Sequence, residues 1–300
     1  MELRTVDSEF SVHKTELARL VCDTGTAVRR LLIRPGAIGD FILSLPALHC
    51  LRAEYTEVWV ASQNVPLVRL ADRSRSISST GLDLLGIADP DPRLLTELRG
   101  FDSIVSWYGS SRQDFRTTVA GLGLPFTFFP ALPRESSTHA VDFYLEQART
   151  IAGCDSDGIP RIPCPAEREN FAVIQPFSSS RKKDWPLDRF RQMASGLASR
   201  MPVHWCRGPE DPALDGAITM NNLWDLACWL ARASLYIGND SGITHLAAAV
   251  GTPTLAIFGP TDMRVWAPRG TNVRVAKFKG YTDGHGYCRR NIRVYPCPSM

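Results

Sequence analysis

The sequence predicts an α/β protein with two domains joined by a linker. Short apolar runs typical of buried strands alternate with longer helical patterns along most of the chain. Such alternation indicates parallel sheets covered by helices on both faces. Prolines then cluster at 160, 163 and 165, where large apolar residues become scarce, and the alternation restarts after them. A length of 300 residues fits two domains of about 150 residues each.

The first domain is expected over residues 29–155, after an N-terminal extension of residues 1–28 with one weak helical pattern near 14–22. The apolar spacing predicts strands at 29–36, 57–62, 101–109 and 125–130, and helices at 39–55, 112–122 and 138–153. Pro46 falls inside the first helical pattern. Thr138 directly precedes the last pattern and is a candidate N-cap.

The second domain is expected over residues 171–300, after a linker at 156–170. Its patterns predict strands at 171–177, 203–208, 235–238 and 254–259, and helices at 186–200, 223–233 and 245–251. In folds of this class, ligands bind at the carboxyl ends of the strands and in the cleft between domains. Functional residues are therefore expected in the turns that lead from strand to helix.

Composition argues against several functional classes. Apolar residues make up 44% of the chain and charged residues 22%, values typical of globular proteins. A net charge of +3 does not favour nucleic-acid binding. The first 14 residues lack the apolar core of a secretory signal. The small apolar stretch at 246–258 is interrupted by Gly251 and Pro253 and is too short to span a bilayer. A cytoplasmic location without a transmembrane segment is expected.

The eight cysteines are scattered and form no CxxC pair. Cys206 and Cys228 lie in apolar runs, where a reduced buried thiol is the simplest interpretation. No zinc or other metal site is predicted from this pattern.

The stretch GNDSGITHLAAAVGTPTLAIFGPTD, residues 238–262, leads from a predicted strand into a helix. A helix start exposes unpaired N–H groups and the positive end of the macrodipole, which suit phosphate oxygens. Gly242 allows a ligand to approach closely, and Ser241 and His245 can donate hydrogen bonds. Asp240 suits a sugar hydroxyl, an N-cap, or the positioning of a metal or base. Alternatively, Asp240 and Ser241 only cap the helix and His245 is a satisfied, partly buried residue.

The stretch RPGAIGDFILSLPAL, residues 34–48, has the same strand–turn–helix arrangement in the first domain. Asp40 follows two glycines at the helix start, where the dipole stabilises a carboxylate facing the cleft. Such a group is available as a general base, although a simple helix cap is an equally open interpretation. The GxGxxG spacing of a dinucleotide-binding turn is absent, which counts against a dehydrogenase.

The stretch FSSSRKKDWP, residues 177–186, follows the first strand of the second domain. Its three serines and three cations suit a diphosphate, since hydroxyls and amides can bind it while a lysine neutralises charge. Pro186 is predicted to occupy the first helical position. A basic run of this kind is otherwise most often a solvated surface.

Together these stretches resemble the ADP-heptose:lipopolysaccharide heptosyltransferase family, glycosyltransferase family nine. The matching pieces are AIGDFILSLPAL, KDWP, RGPED and IGNDSGITHLAAAVGTPTLAIFGPTD, which occur in the family's order over about residues 30–270. The resemblance implies the GT-B architecture, in which two Rossmann-like domains face a central cleft. Because the chain ends at residue 300, the family's C-terminal bracing helix is expected to be incomplete.

The resemblance also implies a role for individual residues. Asp40 matches the proposed catalytic base, which takes the proton from the acceptor hydroxyl. Lys183 matches a residue that contacts the diphosphate, and Ser178 and Ser179 lie where hydroxyl residues touch phosphate. These roles imply inversion at the anomeric carbon by direct displacement, with no metal and no cofactor beyond the nucleotide-sugar co-substrate.

The remaining implied roles concern the nucleotide sugar and the acceptor. Glu210 matches an acid that binds the ribose, and Asp240 an acid that contacts the heptose. Ser241, Gly242 and His245 match residues at the diphosphate. Acceptor binding is expected in the first domain, with Arg112 and Arg116, after the strand at 101–109, as the preferred pair for acidic groups.

The leading hypothesis is an inverting glycosyltransferase that moves a heptose from ADP-heptose to a lipopolysaccharide-core-type acceptor. Its partners would be the nucleotide sugar and an acidic glycan or glycolipid at the inner face of the membrane, with peripheral membrane binding left open. One alternative keeps the fold but changes the donor sugar, or uses a protein or small-molecule acceptor. Another is a catalytically idle nucleotide-sugar-binding protein.

Overall fold

The computed structural model describes residues 27–133, 138–278 and 293–296, the last as backbone. The helical pattern near 14–22 lies outside the described residues, as does most of the chain after residue 278. The described chain forms two sheets, each built mainly of parallel strands with helices between them. The predicted α/β class with two Rossmann-like domains is confirmed.

The first sheet has the strand order β3-β2-β1-β4-β5, and every neighbouring pair is parallel. Its strands are β1 (Arg29–Arg34), β2 (Tyr55–Val60), β3 (Arg73–Ser76), β4 (Ser103–Ser106) and β5 (Phe126–Phe128). The helices of this domain are α1 (Ile38–Cys50), α2 (Pro92–Arg99), α3 (Gln113–Gly121) and α4 (Ala140–Arg149). Short 3-10 segments cover Ser62–Leu67, Ile77–Ser79 and Leu82–Leu84.

The second sheet has the order β12-β11-β10-β9-β6-β7-β8. Its strands are β6 (Glu169–Gln175), β7 (Val203–Arg207), β8 (Ile218–Thr219), β9 (Ala233–Asn239), β10 (Thr254–Phe258), β11 (Val273–Lys277) and β12 (Arg293–Pro296). β12 pairs antiparallel with β11, and the other pairs are parallel. Its helices are α5 (Leu187–Ala198), α6 (Leu223–Arg232), α7 (Gly242–Ala249) and α8 (Met263–Trp266), and Arg181–Lys183 forms a 3-10 turn.

The strand order of both sheets reverses beside the first strand of each domain, between β1 and β4 and between β6 and β9. At such a point the connections leave in opposite directions and open a crevice at the carboxyl ends of the strands. The three stretches singled out in the sequence follow β1, β6 and β9. The topology therefore places all three at the two crevices.

Helix α1 runs through Pro46 without interruption but ends at Cys50, so the prediction of a helix to residue 55 was wrong. Residues 41–48 are all buried, and this packing holds the helix although proline supplies no backbone N–H. Tyr55 already begins β2. Apolar residues continue past the end of α1, and for this reason periodicity alone placed the end of the helix too late.

Two predicted helix starts also differ. Helix α4 begins at Ala140, and its N-cap is His139, whose Nδ1 accepts a hydrogen bond from the Val141 N–H at 3.2 Å. The prediction of Thr138 as N-cap was therefore wrong. Pro186 occupies the N-cap of α5 and not its first helical position.

Strand β3 was not predicted, because its sequence RSRS carries no apolar pattern. It is an edge strand whose charges are held by acids. Arg75 Nε lies 3.0 Å from Oε1 of the buried Glu57 on β2, and Arg75 Nη2 lies 2.6 Å from Oε1 of Glu97 on α2. Ion pairing with distant acids stabilises a strand that local sequence does not indicate.

The two domains share one apolar cluster, to which α1 and α4 of the first domain and α6 and α7 of the second all contribute. The linker packs onto the second domain, since Ile162 is buried and its N–H donates to the Ala249 carbonyl at 2.9 Å. The Arg69 guanidinium lies 3.6 Å from the centre of the Trp224 ring of α6. Helices α1 and α7 pack against each other, which brings their N-termini together across the cleft.

The cysteines include one pairing that was not predicted. Cys50 at the end of α1 and Cys154 after α4 form a disulfide across 104 residues of sequence. Cys206 and Cys228 are free, as predicted, although Cys228 is only half-buried. Burial raises the pKa of the Cys206 thiol to about 12. No helix among the described residues has the length and apolar content needed to cross a membrane.

Candidate functional site

A cavity of about 320 Å³ lies between the two domains, where the turns after β1, β6 and β9 meet. Seven of the residues singled out in the sequence line it: Asp40, Ser179, Lys183, Asp240, Ser241, Gly242 and His245. These residues come from three segments separated by up to about 200 positions. The structure thus brings most of the predicted site together in one place.

Two glycines allow the starts of α1 and α7 to touch. A Cβ atom on Gly242 would lie 2.7 Å from the Cβ of Ile38, and one on Gly39 would lie 3.0 Å from Cδ2 of His245. Real Cβ atoms essentially never approach other atoms within 3.0 Å. The present width of the cavity therefore requires glycine at position 242. A larger residue at position 39 would also press on His245.

Asp40 is the third residue of α1 and is half-buried beside the cavity. The N-cap of this helix is Ala37, and no side chain caps it, so the interpretation of Asp40 as a simple cap was wrong. In the first turn a carboxylate gains from the positive end of the helix dipole. The Asp40 side chain lies beside the cavity and is free of a capping role.

Arg34 holds the turn that carries Asp40, and sequence reasoning did not identify this function. Its side chain is buried, with Nη1 donating to the Pro35 carbonyl at 2.8 Å and Nη2 to the Asp40 carbonyl at 3.1 Å. Nη2 also donates to the hydroxyl of Tyr144 on α4 at 2.8 Å. Burial raises the pKa of that tyrosine to about 12, so its hydroxyl stays protonated. Arg34 thereby fixes the start of α1 to both the strand and α4.

Lys183 and Asp240 both line the cavity and form an ion pair, with Nζ 2.9 Å from Oδ2. Asp240 is 5% exposed, whereas the lysine side chain is 31% exposed. Ser241 is the N-cap of α7, and its Oγ accepts from the Thr244 N–H at 3.3 Å. The capping interpretation is therefore right for Ser241 and wrong for Asp240, whose charge is balanced by Lys183.

Asn239 positions the lysine loop and was missed as a site residue. Its Nδ2 donates to the Pro176 carbonyl at 2.6 Å, and its Oδ1 accepts from the Trp185 N–H at 3.0 Å. The loop that carries Lys183 is thus fixed at both ends to the end of β9. The available signal was the position of Asn239 beside Asp240, at the end of a buried strand.

His245 lies in the first turns of α7 and is 5% exposed. Burial lowers the pKa of its imidazole, and the carboxylates of Asp240 and Asp40 oppose this effect. Its Nδ1 has no hydrogen-bond partner among the described residues, so the interpretation of a satisfied histidine was wrong. The site therefore holds a largely neutral imidazole close to two acids.

Two residues predicted to bind the nucleotide sugar do not line the cavity. The Ser178 hydroxyl lies 2.6 Å from Oδ1 of Asp184, inside its own loop. Glu210 is exposed in the turn after β7, and its neighbour Asp211 points inward to accept from the Gly208 N–H at 2.7 Å. Contacts of Ser178 and Glu210 with a ligand remain predictions.

The two arginines expected to bind an acceptor have different environments. Arg112 donates from Nη1 to the Tyr108 hydroxyl at 2.7 Å and thus braces its own loop. Arg116 lines a second cavity, which adjoins the first at Leu132. In the described part of the chain no group of three or more His, Cys, Asp or Glu side chains is arranged to hold a metal ion.

Residues 133–283 match the family model described as glycosyltransferase family 9 (heptosyltransferase), which covers just over half of the chain. The chain belongs to glycosyltransferase family 9. This match includes every site residue of the second domain. The resemblance inferred from the sequence motifs is therefore confirmed.

Among curated proteins, the chain is similar to lipopolysaccharide heptosyltransferase 3 of Escherichia coli (strain K12). The two are 28% identical over an alignment of 149 residues, and the match covers 44% of this chain and 43% of the relative. The match thus spans less than half of the length of that relative.

Two solved structures show the same fold. One is the glycosyl transferase family 9 protein from Veillonella parvula, with a TM-score of 0.66 and 17% identity over 84% of this chain and 86% of the other. The second is E. coli heptosyltransferase WaaC with ADP, with a TM-score of 0.60 and 17% identity over 83% of this chain and 93% of the other. At such identities the likeness establishes the fold.

Proposed function

We propose that this family 9 protein is an inverting glycosyltransferase that transfers a heptose from ADP-heptose to a hydroxyl of an acidic glycan or glycolipid acceptor of the lipopolysaccharide-core type. One observation carries the proposal. Asp40 of the first domain and the Lys183–Asp240 pair of the second line a single cavity at the facing starts of α1 and α7. Membership of a heptosyltransferase family and the ADP seen in the WaaC structure support this choice of donor.

The donor diphosphate would lie at the start of α7. The first N–H groups of a helix have no partner within it, and they carry the positive end of its dipole. Ser179 and Ser241 supply hydroxyls at the same cavity wall. The Lys183 ammonium has three N–H donors, and Asp240 engages one side of it, so the others can reach a phosphate oxygen.

Asp240 would contact the sugar of the donor. Asp240 lines the cavity, and Lys183 pairs with its Oδ2. A carboxylate accepts hydrogen bonds from sugar hydroxyls, and Lys183 balances the charge of this buried acid. The lysine would thus bridge the acid on the sugar and the diphosphate of the leaving group.

Asp40 would act as the general base. Its carboxylate takes the proton of the acceptor hydroxyl while the acceptor oxygen forms a bond to the anomeric carbon of the heptose. The bond between that carbon and the oxygen of the β-phosphate breaks on the opposite face, and ADP leaves with the electron pair. The configuration is inverted, and Lys183 and the amides of α7 stabilise the charge on the leaving group.

Substitution of Asp40 by Asn tests the proposal. Since Asp40 caps no helix, the variant should fold and bind ADP as the wild type does. Turnover, measured as ADP release from ADP-heptose in the presence of a lipopolysaccharide-core acceptor, should fall by about 10²–10⁴ because a positioned base is lost.

Asp114→Asn is a matched control, because Asp114 also lies in the first turn of a helix of the first domain, exposed and away from the cavity. This variant should keep normal turnover. An Asp40→Asn variant with nearly normal turnover would refute the base assignment. Bound ADP-heptose without turnover in the wild type would favour the alternative of an idle nucleotide-sugar-binding protein.

A further inference from the structure

The linker between α4 and β6, residues 150–168, passes from one domain to the other and carries two cysteines. Cys154 lies near its start and is bonded to Cys50 at the end of α1, so this end is tied to the first domain. Cys164 lies further along, where the linker has reached the second domain, and its thiol is free. Of the two linker cysteines, Cys154 is thus oxidised and Cys164 reduced.

Cys164 lies against another free cysteine, Cys228 of α6, and the two thiols are hydrogen-bonded to each other. Both residues are half-buried, so a small reagent can reach the pair from solvent. Burial and the adjacent Cys228 thiol raise the pKa of Cys164 to about 12, which keeps its sulfur protonated at neutral pH. Sulfur atoms in such contact need to move by roughly 2 Å to reach the disulfide bond length of about 2.05 Å.

Contacts from both domains hold the two thiols in place. Cys228 follows Trp224 by one turn of α6, and residues four apart lie on the same face of a helix. The guanidinium of Arg69, from the first domain, lies 3.6 Å from the centre of the Trp224 ring, and its charge opposes the rise in the pKa of Cys164. Ile162, two residues before Cys164, is buried and donates its N–H to a carbonyl of α7 at 2.9 Å. The pair therefore lies in an ordered junction of the linker, α6 and the first domain.

A further free cysteine, Cys206 on β7, has a different neighbour. It is buried, and burial raises its pKa to about 12, as in Cys164. The group that also acts on this pKa is the Asp211 carboxylate, whereas Cys164 is acted on by a thiol. Cys206 is therefore a reference thiol that shares the protonation state of Cys164 and differs in its neighbour.

We propose that Cys164 and Cys228 form a redox modification site, at which a small disulfide oxidant such as glutathione disulfide converts the two thiols into a second disulfide. Neither cysteine lines the cavity beside Asp40, so this proposal is independent of the proposed function.

The reaction is thiol–disulfide exchange in two steps. One cysteine loses its proton to solvent, and its thiolate attacks a sulfur of glutathione disulfide, which gives a protein–glutathione disulfide and one glutathione thiolate. The other cysteine then attacks the protein sulfur of that mixed disulfide, forms the Cys164–Cys228 bond and releases the second glutathione. The two cysteines lose two electrons and two protons, which are recovered in two molecules of reduced glutathione.

Oxidation ties the linker to one helix of each domain. Cys154 holds it to α1 and Cys164 to α6. The new bond also closes a loop of about 65 residues and removes conformations from the unfolded chain, so the equilibrium constant for unfolding falls by about 30- to 700-fold. The oxidised chain therefore resists unfolding and keeps its linker against α6.

Peptide mapping of the intact chain tests the proposal. The folded protein is incubated with glutathione disulfide, remaining thiols are blocked with iodoacetamide in denaturant, and the chain is digested with trypsin without reduction. Mass spectrometry should then find peptide 162–168, which holds Cys164, joined to peptide 208–232, which holds Cys228. Recovery of the two peptides separately, alkylated or joined only to glutathione, would overturn the proposal.

Serine variants measure the effect on stability. In glutathione disulfide, Cys164→Ser and Cys228→Ser should each unfold in denaturant with an equilibrium constant about 30- to 700-fold larger than that of the wild type. In dithiothreitol this difference should largely disappear, because the second disulfide is reduced. Cys206→Ser is the matched control, and its difference from the wild type should be the same in both media. A difference between Cys164→Ser and the wild type that does not depend on the medium would also overturn the proposal.

Discussion

Gly242 opens α7 and lies against the first turn of α1, so replacing it by alanine tests how closely the two domains must approach. The new Cβ would lie 2.7 Å from Cβ of Ile38 and 3.2 Å from the backbone nitrogen of Gly39. Carbon atoms in favourable contact are about 3.5–4.0 Å apart. The structure can relieve the clash only by a shift of roughly 1 Å between α1 and α7.

The consequence can be estimated for two limiting cases. If the domains stay together, the added methyl group overpacks their contact and lowers the free energy of unfolding by about 1–3 kcal/mol. If they separate, Asp40 moves by roughly 1 Å relative to the donor, and a displacement of that size reduces turnover by about 100-fold. Gly242 does not have a positive φ, so alanine introduces no backbone strain of its own.

Two measurements distinguish these cases. Denaturant unfolding reports the loss of stability, and ADP release from ADP-heptose reports turnover. ADP affinity should change little, because Lys183 and Ser241 belong to the same domain as Gly242. We expect a substantial fall in at least one of the two quantities.

Gly196→Ala is the matched control. Gly196 is exposed inside α5, where an added Cβ would meet no atom within 4 Å. Alanine there should stabilise the helix by about 0.5–1 kcal/mol and leave turnover unchanged. A Gly242→Ala protein with the stability and turnover of the wild type would refute the close contact between the two helix starts.

Three further results are expected. Lys183→Ala should weaken ADP binding, measured by calorimetry, about ten- to a hundredfold, because a charge-assisted contact is lost. Lys182→Ala, in the same turn, should leave ADP affinity unchanged. Equal ADP affinities of the Lys183→Ala and Lys182→Ala variants would contradict the diphosphate contact. Transfer should continue in EDTA, because lysine and helix amides can stabilise the leaving group, and activity that requires added Mg²⁺ or Mn²⁺ would contradict this. Burial, assisted by the charge of Arg269, lowers the pKa of His139 from 6.5 to about 4. The free energy of unfolding should therefore be highest above pH 6.5 and fall by up to about 3 kcal/mol as the pH drops to 4. The His139→Asn variant can still accept the N-cap hydrogen bond from the Val141 N–H, and its free energy of unfolding, measured with denaturant, should fall less over this pH range. His245 contributes a loss in the same direction in both proteins. Equal losses of stability in the variant and the wild type would contradict the role of His139.

Much of the fold was predictable because its signals are local. Most buried strands carry a short apolar run, and the amphipathic helices repeat their apolar residues every three to four positions. Asp40 was placed correctly at a helix start, and Lys183 and Asp240 in turns after strands, since glycine and polar residues interrupt the apolar patterns there. The errors at Thr138 and at the end of α1 concern boundaries, where the apolar pattern does not stop at the element.

The contacts that convert these turns into a site were not predictable in the same way. Arg34 holds Tyr144 from 110 residues away, and Asn239 fixes loop atoms that precede it by up to 63 residues. Strand β3 was missed for a similar reason, since it depends on Glu57 and Glu97 rather than on its own pattern. Single-sequence periodicity carries no information on such pairs.

The sequence by itself determined the α/β class, the two domains, the positions of the three polar turns and the motifs of family 9. Only the tertiary structure decided that Lys183 balances Asp240, that Asp40 is not a helix cap, and that Arg116 rather than Arg112 faces a cavity. Local sequence sets backbone geometry through propensities and turn chemistry. The partner of a charged side chain is set by which elements the shared core packs together, and that choice depends on contacts between distant parts of the chain.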